Sequence, residues 1–116
     1  MDIRDSLKNI GITSLNEMQE ASLEAHRKTD HIVLLSPTGS GKTLAFLLPL
    51  LETLDAENPG IQALILTPAR ELAMQIENVF RSLRSGLRVV CCYGGHDINV
   101  ETRSLAHAPA LLIGTP

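Results

Sequence analysis

The sequence predicts an α/β fold, three-layered, with helices on both faces of a mostly parallel sheet. Two observations carry that expectation. Four short apolar runs, Ile32–Leu35, Ala63–Leu66, Leu87–Tyr93 and Ala110–Ile113, have strand length and little polar alternation, as strands buried on both faces do. Between them lie segments with helical spacing of apolar residues, so strand and helix alternate along the chain. The composition agrees. At 116 residues, 44% hydrophobic and 20% charged, the chain is ordinary globular material, large enough for a buried core.

Taken in order, Ile3, Leu7 and Ile10 space a short helix over Asp2 to Ile10 that ends at Gly11. Ser14, with Glu17 three residues on, reads as a capping box opening a helix that runs to about Lys28. The Ile32–Leu35 strand feeds a glycine-rich segment and then a helix over Leu44 to Leu54, in which Pro49 removes one hydrogen bond. Asn58-Pro59-Gly60 is a turn before the second strand, and Glu71 to Arg84 a helix after it. A weaker helix, Ile98 to Ala106, separates the last two strands. No internal repeat or low-complexity tract interrupts the pattern.

Several function classes recede at this level. Residues Met1 to Asn9 mix charges of both signs and lack the apolar centre of a signal peptide. The longest apolar run, Leu44 to Leu51, is too short to span a bilayer. Cys91 and Cys92 are adjacent and would point to opposite faces of a strand, so neither a disulfide framework nor a zinc site is expected. His26, His31, His96 and His107 show no metal-ligand spacing. No membrane contact and a reduced, cytoplasmic setting are expected. The net charge of −3 argues against nucleic-acid binding by the whole surface, though not by a local groove.

The segment Ser36-Pro37-Thr38-Gly39-Ser40-Gly41-Lys42-Thr43 carries the chemistry. It follows a predicted strand and opens a predicted helix, the context a phosphate-binding P-loop requires. Gly39 and Gly41 let successive N–H groups face one concavity, and the helix adds the positive end of its dipole. Lys42 is expected to place a charge on terminal phosphates, and the Thr43 hydroxyl to ligate Mg²⁺. Ser36 stands where the strict pattern has glycine, leaving the later donors intact.

Around this loop stand Gly11-Ile12-Thr13-Ser14-Leu15-Asn16-Glu17-Met18-Gln19 upstream, then Pro68-Ala69-Arg70-Glu71-Leu72-Ala73, Gly94-Gly95 and Gly114-Thr115-Pro116 downstream. This ordered series resembles the first RecA-like domain of DEAD-box ATP-dependent RNA helicases, a P-loop NTPase fold, and it covers essentially the whole chain. The resemblance implies that residues 1–116 are a partial helicase ATP-binding domain. Within it, residues 11–19 form a Q-motif-like segment and residues 36–43 the P-loop. It also implies ATP and Mg²⁺ as cofactors, with Gln19 reading the adenine, a role a side-chain amide can fill because it both donates and accepts. Ile12 and Leu15-Asn16 depart from the family's aromatic and its Pro-Thr or Pro-Ser.

By the same resemblance, Pro68, Ala69, Arg70, Gly94, Gly95 and Thr115 contact the RNA sugar-phosphate backbone, with Ala69 in place of a usual threonine. Arg70 offers a forked donor and Thr115 a hydroxyl, which suits backbone contact without sequence readout. Phe46, Phe80 and Tyr93, all expected to be buried, leave no stacking platform for bases. Arg81 and Arg84 are read as a solvated face. No apolar strand here ends in Asp-Glu, so the sheet is read as truncated before the Walker B strand. These residues alone are expected not to hydrolyse ATP, the second RecA-like domain being a partner supplied by a parent chain. A DNA helicase of the same superfamily and a non-catalytic nucleotide-binding module are the alternatives.

Overall fold

The computed structural model describes residues 3–37, 39, 41–92 and 108–116. The chain forms two compact units, Met1–Thr53 and Leu54–Pro116.

The first unit is helical. Helix α1, Ile3–Lys8, ends in a Schellman turn: Ile12 N–H reaches the Leu7 carbonyl at 3.0 Å and Gly11 N–H the Lys8 carbonyl at 3.1 Å. That turn needs a left-handed residue, which Gly11 supplies at φ 75°. Helix α2, Glu17–Lys28, has acids in its first turn and bases in its last, each complementing the helix dipole. Helix α3, Lys42–Thr53, buries Leu44, Ala45, Leu47, Leu48 and Leu51, and both α1 and α2 pack on it. Each leucine so removed from water stabilises the unit by about 1.5–3 kcal/mol.

Pro49 sits inside α3 and cannot donate to the Ala45 carbonyl one turn earlier. The Ser22 hydroxyl donates to that carbonyl instead, at 2.7 Å. The break expected at Pro49 is thereby repaired from α2. Arg27 Nε bonds Glu52 at 3.1 Å near the other end of the two helices.

The second unit is a parallel sheet with a helix. Strands β1, Ala63–Leu66, β2, Val89–Cys92, and β3, Leu111–Gly114, lie in the order β1-β3-β2. Ala63 pairs Leu111 on one side, and Val89 pairs Leu111 on the other. Helix α4, Arg70–Ser82, packs on β2 and β3 through Ala73, Ile76 and Phe80, with Leu83, Val89, Leu111 and Ile113 completing the core. The described crossover, from β1 to β2, runs through α4, as the sequence expects of an α/β chain.

Several boundaries and one element differ from expectation. Ile32–Leu35 is not a strand among the described residues: it makes no backbone ladder, and Val33 and Leu35 are 86% and 89% exposed. An apolar run can specify an extended chain, but a strand also needs a partner, and within its own unit it has none. Burial on both faces holds for β3 but not for β1, where Leu64 and Leu66 are exposed on one face. The α2 cap is Asn16 rather than Ser14. Helix α4 stops at Ser82, and Arg84 turns left-handed at φ 52°. Phe80 is buried, whereas Phe46 is only half-buried. Tyr93, the Ile98–Ala106 segment and the Gly94-Gly95 pair lie outside the described residues.

Candidate functional site

In the first unit, the ends of α2 and α3 build one site. Asn16 is extended (φ −77°, ψ 170°) and caps α2: its Oδ1 accepts from Gln19 N–H at 2.8 Å. Gln19 Oε1 accepts in return from Asn16 N–H at 3.0 Å, closing a capping box. The pattern Asn-x-x-Gln could have signalled this cap, because asparagine caps at least as well as serine. Ser14 with Glu17 satisfied the same spacing two residues earlier.

Gln19 is only 6% exposed, and its Nε2 donates to the Gly41 carbonyl at 3.2 Å. That carbonyl also accepts from Ala45 N–H at 3.3 Å, so it opens α3 while holding Gln19. Gly41 is left-handed at φ 87°, and a Cβ there would lie 2.5 Å from Gln19 Nε2. Glycine is therefore required twice over, for its backbone and for its missing side chain.

Beyond Gly41, Lys42 and Thr43 are half-buried in the first turn of α3, which contains no acidic residue. Unscreened N–H groups, the dipole and Lys42 make this end electropositive and suited to an anion. Gly39 is left-handed at φ 81° with open space where a side chain would project. Ser36 is half-buried and Pro37 exposed; Thr38 and Ser40 lie outside the described residues. Among the described residues no cluster of His, Cys, Asp or Glu could hold a metal by itself. The donor set thus fits the phosphates of a nucleotide.

The second unit brings two more predicted segments together. The ladders that β3 makes with β1 and with β2 both continue toward this end: Thr67 N–H reaches the Gly114 carbonyl at 3.0 Å, and Thr115 N–H the Cys92 carbonyl at 3.2 Å. This sets Pro68 and Arg70 beside Thr115 and Pro116, around a cleft of about 680 Å³ at the C-terminal ends of parallel strands. Such edges are where open α/β sheets bind ligands. Ala69 occupies the N-cap of α4 and makes no side-chain cap bond, while Thr67 Oγ1 donates to the Ala69 carbonyl at 2.9 Å. Arg70 is thus the first residue of a helix whose N–H groups lack a side-chain cap. Pro116, at the end of the Gly114-Thr115-Pro116 segment, also lines the cleft.

The family model described as DEAD/DEAH box helicase matches residues 16–116. The chain belongs to the DEAD/DEAH box helicase family. An ATP-dependent RNA helicase CshA from Limosilactobacillus reuteri is 38% identical over 96% of this chain, which spans 23% of that relative. A DEAD box protein from Methanococcus jannaschii, solved by crystallography, superposes with a TM-score of 0.88 at 35% identity, over 98% of this chain and 32% of that one. The RNA helicase Prp28 from Chaetomium thermophilum, bound to ADP, gives 0.85 at 34% identity, again over 98% of this chain and 30% of that one. The DEAD-box chain described here therefore spans about a quarter of the curated relatives it matches, and its RecA-like fold is the one expected.

Proposed function

We propose that this DEAD-box chain, residues 1–116, is the nucleotide-binding and part of the RNA-binding portion of an ATP-dependent RNA helicase. The observation that carries the reading is the Gln19 amide seated on the Gly41 carbonyl, which joins the Q-motif-like segment, residues 11–19, to the P-loop, residues 36–43. In the proposed site Gly39, Gly41 and the first turn of α3 cradle the phosphates. Ser36, Pro37, Thr38 and Ser40 complete the loop, and Gln19 faces the adenine. Lys42 stabilises charge on the terminal phosphate, and Thr43 holds Mg²⁺, which when bound neutralises the phosphate oxygens.

Arg70 and Thr115 hold RNA phosphate at the second-unit cleft, with Pro68, Ala69, Gly94 and Gly95 allowing close approach of the backbone. The reading is supported by the helix N-terminus beneath Arg70, where cation and dipole attract the same anion. Sequence readout is not expected, since the contacts are to sugar and phosphate. A parent protein would add the acid that holds the metal from a strand end and the second RecA-like domain, and would act in the cytoplasm. Among the described residues no helix is long and apolar enough to cross a membrane.

Titration with ATP tests the nucleotide half. ATP should bind with no turnover, and Lys42→Ala should weaken binding at least tenfold. Equal affinity in the variant would refute the site. For the RNA half, Arg70→Ala should weaken single-stranded RNA binding alike for all sequences and lower the salt slope by about 1. A sequence-dependent loss would argue against backbone contact.

A further inference from the structure

Gln19 is one of few buried polar side chains among the described residues; its amide is held at two points, by Asn16 N–H and by the Gly41 carbonyl, and its backbone N–H at a third, by Asn16 Oδ1. An unrestrained glutamine amide can turn over and exchange its oxygen for its nitrogen. Here it cannot do so cheaply. Turned over, the amide would set its N–H groups against the Asn16 N–H and its carbonyl against the Gly41 carbonyl, replacing two hydrogen bonds by two repulsions.

From this geometry we infer that Asn16 is a positioning residue for base selection at the nucleotide site. It rests on the nucleotide-binding reading above and extends it to a residue outside the nucleotide contacts proposed there. With its sense fixed, the Gln19 amide keeps one Oε1 lone pair and one Nε2 N–H beyond the bonds described. That pair complements adenine, whose edge offers the N6 donor beside the N7 acceptor. Guanine offers two acceptors, O6 and N7, at the same places and meets the Oε1 lone pair unfavourably. A loosened amide no longer holds that donor–acceptor pair in register with adenine, while guanine meets one clash in either sense, so ATP loses more than GTP and discrimination falls. Asn16 Oδ1 prevents this by anchoring the first turn of α2, keeping the Asn16 N–H opposite Gln19 Oε1. Asn16 is also where this sequence departs from the family's Thr or Ser, and the departure preserves the cap because all three residues accept from the N3 amide.

The test is competition of ATP and of GTP against a fluorescent ADP analogue, on the wild-type chain, Asn16→Ala and Asn16→Thr. The preference for ATP should fall about fivefold in Asn16→Ala, as loss of a cap predicts, with GTP affinity within about twofold of wild type. Asn16→Thr should restore the preference. An unchanged preference in Asn16→Ala, an equal loss of both nucleotides, or failure of threonine to restore it would each overturn the assignment. If the wild-type chain binds neither nucleotide, the site reading falls and takes this inference with it. A second measurement needs no nucleotide: solvent exchange of the Gln19 side-chain amide by NMR should be slow in the wild type and faster in Asn16→Ala. Equal exchange in a variant that retains the wild-type backbone spectrum would also refute it.

Discussion

The Ser22 hydroxyl donates to the Ala45 carbonyl at 2.7 Å, supplying the hydrogen bond that Pro49 cannot make. Both groups are buried, Ser22 at 3% and Ala45 at 0% exposure, so losing the donor leaves a carbonyl without water or partner. Ser22→Ala should therefore cost about 1–3 kcal/mol in urea unfolding. The cost should shrink when Pro49→Ala is added, because the restored N–H of residue 49 then satisfies Ala45. A double-mutant cycle showing no coupling would separate the two residues.

Helix α4 begins without a side-chain cap because Ala69 stands at its N-cap in an extended conformation, φ −132°, ψ 141°. Threonine favours that backbone and carries the missing acceptor. Ala69→Thr should raise stability by about 1 kcal/mol. The same denaturant midpoint as the wild type would show that the α4 N-terminus is satisfied by other means.

At the other end of α4, Arg84 is the one residue other than glycine with positive φ among the described residues, at 52°. The left-handed region crowds its Cβ, and glycine relieves that strain while gaining unfolded-state freedom. Arg84→Gly should be stabilising by about 0.5 kcal/mol, whereas Arg84→Val should destabilise. Thermal melts of the pair would report the sign.

The Cys91 thiol is pushed up to about 11, first by burial and then by the Glu77 carboxylate and the neighbouring Cys92, with Arg81 opposing. The folded state thus favours the protonated thiol. Its contribution to stability is complete below the ordinary value near 9 and is lost as pH rises through about 11. In a Cys92→Ser background, alkylation of Cys91 should stay slow at pH 8 and climb with a midpoint near the upper value. A midpoint at the ordinary thiol value would show Cys91 to be open to solvent.

What could be read from the sequence was local in cause. Gly41, Lys42 and the apolar run after them specify a loop-to-helix turn with short-range chemistry, and that turn forms. The cap of α2 was misplaced because Ser14 with Glu17 and Asn16 with Gln19 both meet the three-residue spacing, and only packing of Gln19 against Gly41 chooses between them. The order β1-β3-β2 was out of reach, since strand order depends on which neighbours meet and not on any one strand's residues. Ile32–Leu35 shows the same limit: its composition suits a strand, but pairing belongs to the partner. The role of Ser22 was hidden for a related reason, because its partner is a backbone carbonyl that only Pro49 leaves vacant.

The ties from α2 to α3 have a mechanical consequence. Gln19 meets Gly41 near the start of both helices, Ser22 meets Ala45 further along, and Arg27 meets Glu52 near the end. The helices therefore run side by side in the same direction and cannot ratchet past each other: an axial slip of one turn, about 5.4 Å, would break all three ties together. Small rotations or tilts cost far less, since each tie can pivot about its acceptor. A push on the Gly41 loop is thus delivered to α2 as tilt rather than translation.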